Sequence, residues 1–327
     1  MSFVYITEDG VKLSKRGGTI SISRDQESVV DIPIETIENL ILIDEIQVSS
    51  QVIVNLLMRK IPMTWISSSG TFCGCLDMAD YMQPLKAQKQ LLIQNTEFSF
   101  VLAKKIADSA LKNKITLLRQ YERCITNEKI NEQIKKLKDL RKSIGKIRTE
   151  KDLENIQIEE NKLYTCAMNL HIQDLTSRQN QKEYQCLFDL LTKIGKGLIR
   201  SETYNAVMRC GLNPYFGFIT TNLTTYPALS ISISSEWKEL VVDVIVVELI
   251  RKHSIAACHL EYRRQRNLSI TTEGERIFFK AYEKKMRSNR KYLADRVSFR
   301  YIIQRQSQQY EEAVMKEDAT LYEPFTF

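Results

Sequence analysis

Over the first eighty or so residues the apolar positions alternate or run in short blocks, as strands do. Phe3–Ile6 reads as a strand, Asp9-Gly10 as a turn, and Val11–Leu13 as its continuation. Gly17-Gly18 marks a second turn before the alternating stretch Thr19–Ser23, and Ile32-Pro33-Ile34 opens the next unit. Leu40–Ile43 and Ile61–Ile66 read as buried strands, and Thr71–Leu76 as a last one. A short helix sits between them, capped by Ser49 or Ser50 and carrying Val52, Val54, Leu56 and Leu57.

From about Pro84 the period changes to three or four. Residues 86–147 carry helical spacing with few breakers, although Lys129–Arg148 is almost wholly polar, either a solvated helical hairpin or a mobile connection. More helices follow over 150–215, an apolar one over 236–252, and amphipathic ones over 273–293 and 295–315. The pattern predicts an α+β chain: a small β domain over residues 1–82 and a larger helical domain over 83–327.

Composition narrows the class. The 327 residues are 43% hydrophobic and 27% charged, with only 11 Gly and 6 Pro, which suits packed cores and long helices. Seven scattered cysteines predict reduced thiols and a cytoplasmic setting rather than a disulfide framework. Cys73 and Cys75 would need two more ligands to hold zinc. No window is apolar enough for a membrane span, and the N-terminus lacks a signal-peptide pattern.

Net charge is +7, which permits nucleic-acid binding without requiring it. Cations exceed acids between Lys104 and Arg148 and again between Arg263 and Arg305, where aromatics are interleaved. Solvated helix faces over an aromatic core and a duplex-binding surface both fit this pattern. His171, His253 and His259 stand apart from one another, and no protease, hydrolase or phosphate-loop motif occurs.

One segment is more specific. Gly211-Leu212-Asn213-Pro214-Tyr215-Phe216-Gly217-Phe218 resembles the "GLDPxxGFLH" stretch of CRISPR-associated protein one, the spacer-acquisition integrase. The resemblance continues through Ala228-Leu229-Ser230-Ile231 to Glu236-Trp237-Lys238-Glu239-Leu240-Val241-Val242-Asp243. The N-terminal strands and the closing Leu321-Tyr322-Glu323-Pro324-Phe325 are also similar to that family.

That resemblance implies a metal-dependent DNA endonuclease or integrase, using Mn or Mg held by a glutamate, a histidine and an acidic pair. Hard divalent ions take carboxylate oxygens and activate an attacking hydroxyl. By motif the glutamate falls on Glu159, with Glu160 as a substitute, because Gln157 and Glu160 replace the two glycines of the family's "GIEG". The histidine position carries Thr220, and the acidic positions carry Ser232 and Ser235. Glu236 lies one residue beyond Ser235, about 100° around a helix, so it would compensate only after rearrangement.

The resemblance thus implies a degenerate, catalytically impaired integrase subunit. The alternative is an active metal-dependent nuclease using Glu159 with a neighbouring carboxylate. Implied partners are double-stranded DNA, CRISPR-associated protein two, and a second copy or an active integrase copy met through the β domain. Candidate phosphate contacts are Lys238, Arg251, Lys252, Arg263, Arg264 and Arg266.

Overall fold

The computed structural model describes residues 2–25, 27–76, 82–123, 127–176, 178–218, 226–262 and 268–327. Strands β1 (Ser2–Ile6), β5 (Ile37–Ile43), β7 (Met63–Ile66) and β8 (Phe72–Leu76) form one sheet in the order β1-β5-β7-β8. A second sheet has the order β4-β3-β2-β6, from β4 (Glu27–Pro33), β3 (Thr19–Arg24), β2 (Lys12–Arg16) and β6 (Gln47–Val48). The antiparallel β2–β3 pair turns through Gly17 with φ at 59°, a left-handed geometry that glycine adopts without strain. Helix α1 (Ser50–Met58) starts after Ser49 and buries Val52 and Leu56. They join Leu13, Ile20, Ile34, Leu40 and Met63 in a core of their own.

The helical region comprises α2 (Pro84–Ile93), α3 (Glu97–Glu122), α4 (Glu128–Ile144), α5 (Glu150–Leu175), α6 (Gln181–Arg209), α7 (Ala228–Ser234), α8 (Val244–Arg251), α9 (Thr272–Arg287) and α10 (Phe299–Lys316). A π-helical turn, Glu239–Asp243, leads into α8. The polar stretch after Lys129 is a packed helix, because Ile130, Ile134, Leu137 and Ile144 give α4 a buried stripe.

Two features depart from the sequence pattern. The 273–293 and 295–315 helices are shorter, as α9 and α10, and an antiparallel hairpin of β11 (Asn289–Tyr292) and β12 (Asp295–Ser298) separates them. A further small pair, β9 (Leu260–Tyr262) with β10 (Leu268–Ile270), precedes α9. Each strand is only three or four residues long, too short for period-two alternation to stand out.

Helix α6 is the hinge of the packing. A Cβ on Gly70 would lie 2.4 Å from the Ile194 amide nitrogen, and one on Gly197 2.6 Å from the Gly70 carbonyl oxygen. The turn between β7 and β8 therefore rests directly on α6. Ser201 donates to Thr64 across the same contact, at 3.0 Å. Arg300 adds a polar clamp: it makes two 2.8 Å bonds to Glu202 and two more to Glu283, and lies 3.5 Å over the Phe3 ring. Tyr5 of β1 donates to the same Glu283.

Candidate active-site cleft

The site grows from one helix stripe. On α5 the inward positions are Leu153, Ile156, Glu160, Tyr164, Ala167, Met168 and His171. Their spacing is three and four, so the face that buries Ile156 also carries Glu160. The N-terminus of α5 is fixed by Thr149, whose hydroxyl accepts from the Asp152 amide.

On α3 the buried stripe Ala103, Ile106, Ala107, Ala110, Leu111, Lys114 places a lysine opposite Glu160. The Lys114 ammonium lies 2.7 Å from a Glu160 oxygen and 3.0 Å from Asn161 Oδ1. It is 3.5 Å from a Glu239 oxygen, and 5.4 Å from the centre of the Tyr164 ring. Lys114 and Glu160 are each 3% exposed.

The network continues behind the cleft. Lys238 lies 3.7 Å from Glu239, Lys196 lies 3.8 Å from Asp243, and Tyr164 donates to Asp243 at 2.8 Å. Three lysines, 114, 196 and 238, thus face three carboxylates, 160, 239 and 243. Burial works against the charged form of Lys114, but Glu239 and Glu160 outweigh it and raise the pKa. Burial likewise opposes the Glu239 charge, and Lys114, Lys238 and Lys196 hold its carboxyl below the usual range. Glu239 supports the charge on Lys238, yet burial and the neighbouring Lys114 and Lys196 leave that ammonium below its ordinary pKa. Burial pushes Asp243 up to about 6.

In front of this network lies a cleft of about 420 Å³. Lys114, Glu160, Asn161, Gln157, Ser232, Ser235 and Lys238 line it, along with Tyr215, Tyr226, Glu150 and Glu154. Helix α7 brings in the serines by ordinary three-to-four spacing. Ser232 donates to the Ala228 carbonyl at 2.9 Å, and Ser235 to the Ser232 carbonyl at 2.6 Å.

The structure therefore brings Ser232, Ser235 and Lys238 together, and it is Glu160 rather than Glu159 that lines the cleft with them. Glu159 is exposed and faces Lys162 at 3.8 Å, because it sits one position off the buried stripe of α5. Glu160, considered only as its substitute, faces the cleft. Glu236 points the other way, into the core, where it accepts from Gln306, Tyr322 and the Phe325 amide. Arg251 and Lys252 are exposed at the end of α8, outside the cleft lining, and Lys252 pairs with Glu248. Thr220, Arg263, Arg264 and Arg266 lie outside the described residues.

Lys114 was missed from sequence. Its signal is a lysine inside an otherwise apolar stripe, three residues beyond Leu111 and four beyond Ala110. The Cys73/Cys75 pair does not face inward jointly: Cys73 is exposed, while the Cys75 thiol donates to Asn205 Oδ1 at 3.2 Å.

A family model described as "CRISPR associated protein Cas1" matches residues 4–284. The chain belongs to the Cas1 family. A curated relative, the CRISPR-associated endonuclease Cas1 of Clostridium perfringens, is 21% identical over 309 residues, covering 91% of each chain. Two solved structures share the fold. A Cas1 protein from Thermotoga maritima superposes with a TM-score of 0.77 at 18% identity, over 96% of this chain and 97% of that one. A chain of a Cas6-RT-Cas1–Cas2 complex gives 0.82 at 16% identity, over 99% of this chain and 36% of the other.

Among the described residues, the donor set in the cleft does not fit the divalent ion associated with the Cas1 family. Such an ion wants several free anionic oxygens at 2.0–2.6 Å. Here a Glu160 oxygen is engaged by Lys114, and both serine protons are turned to backbone carbonyls. Among the described residues, no group of three or more His, Cys, Asp and Glu side chains is placed to hold a metal. Nor is any described helix long and apolar enough to cross a membrane.

Proposed function

We propose that this chain is a DNA-binding subunit of a CRISPR spacer-acquisition assembly whose own strand-transfer chemistry is impaired. The observation that carries this reading is the Lys114–Glu160 ion pair beneath Ser232 and Ser235. Strand transfer by a metal route needs an ion that polarises the phosphate and activates the attacking hydroxyl. In this cleft the inward carboxylate is already neutralised and the neighbouring positions offer neutral hydroxyls. Lys238, half-buried at the cleft wall, and Arg251 and Lys252 on the surface would meet phosphates of a duplex.

The partners follow from the same reading. One relative of known structure is a chain of a Cas1–Cas2 complex, which supports an assembly with Cas2 here. The β domain would join two copies, or this copy to an active one. Its β4 is the outer strand of its sheet, with Val29 and Val30 at 54% and 48% exposure.

The test is a branched-DNA assay with Mn²⁺ and, separately, with chelator. Binding that persists in chelator, with no cleavage in Mn²⁺, is the expected result. Cleavage in Mn²⁺ that disappears in Glu159→Ala or Glu160→Gln would replace this reading with that of an active nuclease.

A further inference from the structure

We propose that the Lys114 ammonium is a built-in substitute for the divalent cation, and that its presence bars Mn²⁺ and Mg²⁺ from the floor of the cleft. This rests on the reading of the cleft as a degenerate Cas1 site, but it goes further by naming the residue that replaces the ion.

A buried carboxylate needs a counter-charge, because removing it from water is unfavourable unless it is paired and hydrogen-bonded. A metal enzyme can supply that charge from solution. This chain supplies it from α3. Lys114 Nζ has three hydrogen-bond donors and meets three oxygens, from Glu160, Asn161 and Glu239. These come from α5 and the π-helical turn, so the ammonium ties together three segments that would otherwise converge on a cation. Lys196 faces Asp243, and Lys238 approaches the same Glu239 oxygen as Lys114, so each carboxylate of this buried network has a cation beside it. An added divalent ion would meet a fixed positive charge within contact distance of the same oxygens. It would also have to displace the Lys114–Glu160 bond, 2.7 Å long and shielded from water.

The arrangement also explains the serines. With the charge of Glu160 answered, acidic side chains at 232 and 235 would add negative charge to a cleft that Glu150 and Glu154 already line. Neutral hydroxyls satisfied by their own helix leave the balance intact.

The experiment uses the full chain and Mn²⁺ alone as the probe. Binding is read by electron paramagnetic resonance of free Mn²⁺, and thermal stability is read in parallel, since a ligand that binds only the folded state raises Tm. The unaltered protein should show no Mn²⁺-dependent rise in Tm. Lys114→Met, which exposes the oxygens of Glu160, Glu239 and Asn161, should gain affinity for Mn²⁺ by about tenfold or more and gain a rise in Tm with it. A Lys114→Met protein that folds and takes up no more Mn²⁺ than the parent would overturn the proposal. If Lys114→Met does not fold, the decision passes to Glu160→Gln. A Mn²⁺-dependent Tm rise in the unaltered protein that Glu160→Gln abolishes makes Glu160 a metal ligand and refutes the proposal. Absence of that rise in both proteins, with Glu160→Gln lowering Tm, supports it. DNA affinity in chelator is measured alongside. Its loss would count against the DNA-binding reading while leaving the Mn²⁺ result intact.

Discussion

The Lys114 ammonium and the Glu160 carboxylate meet at 2.7 Å with both side chains removed from solvent, although they come from separate helices. Removing one partner of such a pair leaves the other charge buried and alone. Glu160→Leu and Lys114→Met should each destabilise the chain by about 3–5 kcal/mol. The double variant should lose clearly less than the sum, because Glu160 no longer leaves a buried charge alone and Glu239 keeps Lys238 beside it. Urea denaturation of all four proteins checks this, and simple additivity would mean the two groups do not act as a pair.

Arg300 should prove equally sensitive for a different reason. It binds Glu202 through two parallel bonds, holds Glu283, and covers Phe3 of the first strand. Arg300→Lys keeps the charge but loses the fork that fits a carboxylate. We expect a loss of about 2 kcal/mol or more, with protease sensitivity appearing first where the β domain meets α6. A change under 0.5 kcal/mol would mean that apolar packing alone secures this junction.

Glu236 sets a pH dependence. Burial pushes its carboxyl up to about 8, against opposing hydrogen bonds from Gln306, the Phe325 amide and Tyr322. The folded state therefore holds a proton that the unfolded state releases near pH 4.5. The stability from this group is complete below that pH and declines as pH rises towards 8. Glu236→Gln should flatten that decline. Because Glu236 anchors Phe325 and Tyr322, the parent chain should also become more open to carboxypeptidase at pH 9 than at pH 6. Equal slopes in parent and variant would rule out this origin.

His171 gives the opposite slope. Burial lowers its pKa to about 4, only partly resisted by Asp174, and its ring stacks on Tyr121 at 4.4 Å. The unfolded state takes up a proton below about 6.5, and the folded state does not until about 4. Stability from this group is present above 6.5 and is lost as pH falls to 4. His171→Phe, which keeps a ring against Tyr121, should remove that acid limb in denaturation curves measured between the two values.

DNA binding should weaken with salt through phosphate contacts. Lys238→Ala should lower affinity evenly across sequences and reduce the slope of log affinity against log salt by about one. Arg251→Ala should do likewise, being exposed at the end of α8. An unchanged slope removes that residue from the DNA surface.

The sequence alone determined the fold class and the family. Strands β1, β3, β5 and β7, the helix after Ser49 and the long helices follow from local period and turn residues, and the stretch from Gly211 to Asp243 carried the family. These are short-range signals, written into neighbouring residues. The hairpin of β11 and β12 escaped because four-residue strands hold too little pattern. Only tertiary structure decided the cleft. One position on α5 separates Glu159 in solvent from Glu160 beside Lys114, and a motif that counts residues cannot see which way a helix is turned. Lys114, Glu160 and Glu239 are far apart along the chain, and the requirement that buried charges cancel acts only once packing has brought them together.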